Sequence, residues 1–360
     1  MNRPHLPLWL RIGTVVALVC SFAGSACADE ARAIPHYRPA QSVSGTIRIW
    51  ADEHMGRVIQ YWAEGFRKFQ PQIAFETRLV GSGAAMPGIY HNVADLALLG
   101  RESDITDDNG FFKSVGGYKP LRLELMNGSL DVPGQSAAQV VLAHRDNPLS
   151  RLTVPQLDAI FGYEHRRGTE NIRTWGQLGL TGEWSDKPIH LYAYDIESED
   201  GLYFARSVLA DSRKLNWENL TEFRDVEKPG GGVMESGQRI VDALRNDRYG
   251  LAISNARYAI PGVKPIAIAA HESAPYYQAT AANVVARVYP LARRTYAFLN
   301  QPPGQALDPK MSEFMRYVLS REGQHDVMRA HGYQPLSSEV LLDQLAALAS
   351  RAISPPRPGS

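Results

Sequence analysis

The chain has 360 residues, with 38 Lys and Arg against 38 Asp and Glu and only two cysteines. Balanced charge without Lys/Arg blocks argues against nucleic acid as a partner. A chain of this length must be held by apolar cores and has room for two domains.

At the N-terminus, Arg3 and Arg11 flank a short basic region, and Ile12 to Phe22 form an apolar run. Ala26-Cys27-Ala28 then supplies small residues at the positions that a signal peptidase reads. The pattern is that of a secretory signal peptide over residues 1–28, with an apolar run too short to span a membrane. It implies an exported, periplasmic protein. Cys20 and Cys27 both lie in that segment, so the remainder offers no disulfide and no cysteine metal site. Retaining Cys27 as a lipid anchor would suit a bulky aliphatic three residues earlier, where Gly24 stands. That argues against lipoprotein anchoring.

Residues 29–44, with Pro35 and Pro39, read as an irregular leader. Thr46–Trp50 is a short strand. Val58, Tyr61, Trp62, Phe66 and Phe69 then fall on one helical face, which Pro71 stops. Ile73, Phe75, Thr77 and Leu79 alternate on a second strand, Gly81-Ser82-Gly83 turns into another helix, and Ala94–Leu99 is an apolar strand suited to burial on both faces. This alternation is the rhythm of an α/β fold with a doubly wound sheet.

A second such series begins at the apolar strand Ala138–Ala143. Thr153 and Gln156 form a capping box for a helix burying Leu157, Ile160 and Phe161. Ile189–Tyr194 reads as a strand, Leu202–Leu209 as a helix, Pro229–Gly232 as a loop and Ile240–Leu244 as a helix before the strand Gly250–Ser254. A last block holds a strand near Tyr296–Leu299 and one helix from Ser312 to about His331. The Pro-rich end is a disordered tail by composition.

Seven segments, taken in order, resemble the phosphate-type periplasmic solute-binding proteins of ABC transporters. They are Gly81-Ser82-Gly83, Asp95–Arg101, Asn147–Thr153 leading to Ile160-Phe161-Gly162 and Trp175, Ile189–Tyr194 with Ser198, Tyr289-Pro290-Leu291, Leu319–Gln324 and Gly332–Leu336. The resemblance implies a two-lobed periplasmic-binding-protein fold of type II, each lobe a mixed, mostly parallel sheet flanked by helices. The first lobe would be residues 45–136 plus 285–345, the second 137–284, and the tail 346–360. Ligand binding would close the lobes by a hinge.

The resemblance also implies a small oxyanion, phosphate foremost, held in the cleft by helix N-termini and short hydroxyl side chains. Ser82 matches the family's second-loop serine, and Gly83 beside it lets backbone approach a ligand. Arg101 ends the third strand, where ligands of open α/β sheets bind and a guanidinium can grip an oxyanion. The fourth loop departs from the pattern. Ser198 keeps its place, but Tyr194 replaces an arginine, and Glu199 and Asp200 replace glycine and threonine. In the first loop, Glu53 and His54 stand where small and hydroxyl residues are usual. Several carboxylates facing a dianion repel it. Asp200 has an alternative role as the N-cap of the next helix, and His54 reads as a pocket-rim residue because no second His or Cys stands at metal spacing.

The chain carries no Gly-x-Ser-x-Gly elbow, His-Glu-x-x-His motif or Gly-x-x-x-x-Gly-Lys loop, so neither an enzyme nor a cofactor is expected. The expected partners are a small anion and an ABC permease, with the protein a monomer. The alternative is a sensor or interaction protein on the same fold, binding a different small ligand without a transporter.

Overall fold

A computed structural model describes residues 34–350 apart from 133, 134 and 259. The signal-peptide reading and both cysteines fall outside the described residues.

Ten strands form two five-stranded sheets. In the first, β1 (Gly45–Ala51) pairs in parallel with β2 (Ile73–Leu79) and with β3 (Leu96–Leu99). Arg294–Leu299 (β10) then inserts antiparallel between β3 and β4 (Leu121–Asn127), giving the order β2-β1-β3-β10-β4. The second sheet runs β9 (Val263–Pro265), β5 (Gln139–His144), β8 (Gly250–Asn255), β6 (His190–Tyr194), β7 (Leu220–Phe223). Its β6 pairs in parallel with both β8 and β7, whereas β5 is antiparallel to β8 and β9. Each sheet is therefore mixed, with two parallel and two antiparallel pairs, because one strand of each arrives by a crossing rather than by a βαβ unit.

Among the described residues, nine helices have eight residues or more: α1 (Gly56–Arg67), α2 (Ser82–Tyr90), α3 (Ile105–Val115), α4 (Val154–Phe161), α5 (Glu199–Ser207), α6 (Ser236–Arg245), α7 (Pro309–Val318), α8 (Arg321–Arg329) and α9 (Ser338–Ser350). None is long and apolar enough to cross a membrane. Of the face read from the sequence, Val58, Trp62 and Phe66 are fully buried against the first sheet, with Phe314 and Tyr317 of α7, whereas Tyr61 is half-buried and Phe69 lies past the end of α1 and is exposed.

Three expectations need correction. Residues 312–331 do not form one helix. The first ends at Val318, and Ser320 starts α8, its hydroxyl accepting from the Gly323 N–H at 3.3 Å. The tail does not begin at 346, because α9 continues to Ser350 and buries Leu341 and Leu348. The leader is irregular, as read, and is tied down at Tyr37. Tyr37 is buried, its hydroxyl donates to Glu313 at 2.7 Å and its N–H donates to Glu322 at 2.7 Å. Asp200 is not the cap of α5; Ser198 is, accepting from the Gly201 N–H at 3.0 Å. That leaves the Asp200 carboxylate free for another contact.

Two crossings connect the sheets, between Asn127 and Gln139 and between Arg287 and Arg294. They are tied to each other where Gly128 donates its N–H to the Arg293 carbonyl at 2.8 Å and Gln139 donates to that of Leu291 at 3.1 Å.

Candidate ligand site in the interlobe cleft

Between the two sheets lies a cavity of about 520 Å³. Its walls come from the loop after β1, both crossings, the loop between β6 and α5, and the ends of β7 and β8. These are the carboxyl ends of the parallel strands, where the chain turns into helices and leaves N–H groups unpaired.

Arg293 commands the site. Its side chain is only 2% exposed, yet it carries a full charge. Nη2 donates to Glu199 Oε1 at 2.6 Å, Nη1 to Asp200 Oδ1 at 2.7 Å, and Nε to the Gly100 carbonyl at 3.0 Å. The guanidinium also lies 4.8 Å over the Tyr203 ring. Burial opposes its charge, but Asp200, Glu199 and Asp52 outweigh that and raise its pKa further. No local pattern marks this role, because its carboxylate partners stand 93 and 94 positions earlier. Arg293 follows directly on the Tyr289-Pro290-Leu291 segment, and a basic residue inside a crossing is the signal that could have marked it.

On the first-lobe side, Asp52 is fully buried at the end of β1. Its Oδ1 accepts from the His54 N–H at 2.8 Å and lies 2.8 Å from His54 Nδ1, while Oδ2 accepts from the Ser82 hydroxyl at 3.1 Å. Burial would raise the Asp52 pKa, but the hydrogen bonds and charge of His54 hold it below the usual value. Burial favours neutral His54, yet Asp52 overcomes it and raises the ring's pKa. Glu53 and His54 both line the cavity.

Tyr194, Ser198, Glu199 and Asp200 line it from the second lobe. Tyr194 is buried, and its hydroxyl accepts from Asn255 Nδ2 at 3.3 Å. The Ser198 hydroxyl donates to the Asp195 carbonyl at 2.6 Å while capping α5. Burial first, then the nearby Asp52 charge, lifts the Glu199 pKa above the ordinary carboxylate value against the pull of Arg293 and Arg101.

The remaining expected residues lie further back. Ser82 is buried behind the wall on Asp52. Gly83 faces open space, so a side chain there would meet nothing within 4 Å. Arg101 is 4% exposed and pairs with Asp107 at 2.7 Å. It lines a separate cavity of about 240 Å³ with Tyr203 and Arg206 rather than the cleft. The arginine at the cleft wall is Arg293.

A family model described as a PBP superfamily domain matches residues 38–322. The chain belongs to the PBP superfamily. Among curated relatives within reach of this PBP chain, the phosphate-binding protein PstS of Pseudomonas aeruginosa is 29% identical over 335 residues, covering 92% of this chain and 96% of the relative. Among solved structures, PstS from Borrelia burgdorferi aligns with a TM-score of 0.55 at 11% identity, covering 82% of this chain and all of that one. A possible phosphate binding protein from Planctomyces limnophilus aligns at 0.53 and 18% identity, covering 87% of this chain and all of that one. At such identities the structural likeness establishes the PBP fold, two lobes with a mixed sheet each, and nothing finer.

Proposed function

We propose that the chain is an exported solute-binding receptor that captures a small oxyanion, phosphate first, between its lobes and delivers it to an ABC transporter. The observation that carries this reading is the similarity to the Pseudomonas phosphate-binding protein over nearly the whole of both chains. The cleft supports it with a buried guanidinium, an imidazole whose pKa Asp52 raises and the N-terminus of α5. Export follows from the signal-peptide pattern of residues 1–28, and hinge closure about the paired crossings makes the monomer the working unit.

A thermal-shift panel tests the reading on protein freed of ligand by unfolding and refolding. Phosphate at about 100 times its dissociation constant should add about 2.7 kcal/mol to native stability. Absence of any shift with phosphate, while another oxyanion such as sulfate or molybdate gives one, would replace phosphate as the solute. A sensor on the same fold would bind equally well, so stimulation of a reconstituted permease by the loaded protein separates the two roles.

A further inference from the structure

We infer that Glu199 is a resident anion: its carboxylate occupies the place in the cleft that an incoming oxyanion must take, and capture of the solute requires its displacement. The inference rests on the receptor reading above and names the residue that sets its affinity.

Two arginines from separate elements converge on this carboxylate. Arg293 from the second crossing reaches Oε1 at 2.6 Å. Arg101, beyond β3, places Nε 3.6 Å from Oε2. Two guanidinium groups around one half-buried carboxylate are groups that would hold a phosphate or sulfate oxygen.

Glu199 belongs to α5 of the second lobe, whereas Arg101 belongs to the first. The carboxylate thus makes the bridge between lobes that a bound anion makes when a hinged receptor closes. Neighbours keep the site full. Asp200 takes Nη1 of Arg293 and the Gly100 carbonyl takes Nε, so an acceptor already sits on each guanidinium nitrogen. Asp52 adds a further negative charge close by. A second anion brought beside these carboxylates meets like charge in a partly desolvated site. Glycine at 100 matches this arrangement, since a Cβ there would stand 3.4 Å from Glu199 Oε1 and closer still to the Ser136 side chain.

Calorimetric titration of inorganic phosphate into refolded, ligand-free protein tests the inference. Glu199→Gln keeps the side-chain shape and an acceptor while removing the charge, and should bind phosphate at least about tenfold more tightly than wild type. Glu199→Asp, which draws the carboxylate back by one methylene, should also bind more tightly and serves if the glutamine variant does not fold. Glu183→Gln makes the same charge change at the surface, far from the cleft, and should leave affinity unchanged. Wild type and both Glu199 variants binding phosphate equally would overturn the inference and leave the phosphate reading standing. Binding by a Glu199 variant alone would establish the resident anion. Failure of all the folded proteins to bind phosphate would remove both.

Discussion

Gly128 and Arg293 hold the two crossings together backbone to backbone. The Gly128 N–H donates to the Arg293 carbonyl at 2.8 Å, and a Cβ built on Gly128 would stand 2.8 Å from both Arg293 Cβ and the Ser136 carbonyl. The two crossings run this close because no side chain separates them. Gly128→Ala should therefore push Arg293 off its carboxylates. The expected cost is about 1–3 kcal/mol in urea unfolding, with weaker phosphate binding. Unchanged stability would mean that the crossings yield more freely than this spacing allows.

Arg293 and Arg213 separate buried from exposed ion pairs. Arg293→Ala removes a buried guanidinium and leaves the half-buried Glu199 and Asp200 without their partner, and should cost about 2–4 kcal/mol. Arg213 pairs with Asp104 across the lobes at 3.0 Å but is 40% exposed, so Arg213→Ala should cost less than about 1 kcal/mol. Chemical denaturation of both variants decides this, and comparable losses would count against Arg293 as the electrostatic centre of the cleft.

The Asp52–His54 pair predicts a pH dependence on both sides of neutrality. The His54 pKa lies above its ordinary 6.5, so the stability that the pair contributes is complete below that value and is lost as pH rises through the raised one. The Asp52 pKa lies below its ordinary 3.8, so its share is present above that value and lost as pH falls through the lowered one. His54→Gln should flatten the alkaline limb of a stability profile taken from about pH 5 to about pH 9. An identical limb in wild type and variant would assign it to another group.

Ser198 holds the first turn of α5 that carries Glu199 and Asp200. Ser198→Ala removes the cap on Gly201 and should cost about 1 kcal/mol. Because α5 then frays at the cleft, phosphate affinity should change by more than this stability loss alone implies. Titration alongside thermal unfolding reads both quantities in one variant.

Much of the framework was legible because its signals are local. The apolar face of α1, the capping box at Thr153 and the buried run at Leu96–Leu99 each need only a few neighbouring residues. The break at Ser320 was missed because apolar periodicity continues from Phe314 and Tyr317 to Val327, while the helix restart depends on one hydroxyl. Helix α3 and strand β4 had no place in the sequence reading. The Arg122 and Glu124 side chains interrupt the apolar run of β4, and α3 buries only Asp107 and Phe111. Of the cleft, the sequence marked loops that line it but not the charge that joins them. Ser198, Glu199, Asp200, Tyr194, Glu53 and His54 all reach the cavity, whereas Arg101 and Ser82 stand behind it and Arg293 arrives from a remote segment. Pairings across more than ninety residues leave no periodic trace.

The insertion of β10 between β3 and β4 also fixes a sequence of events during biogenesis. Strands 139–265 complete the second sheet from one uninterrupted stretch, so that half can assemble as soon as it has been made. The first half must wait. Strands β3 and β4 have no partner in common until residues 294–299 arrive, and Tyr37 finds Glu313 later still. Contacts this distant in the chain form slowly, so the first sheet is the last to be completed.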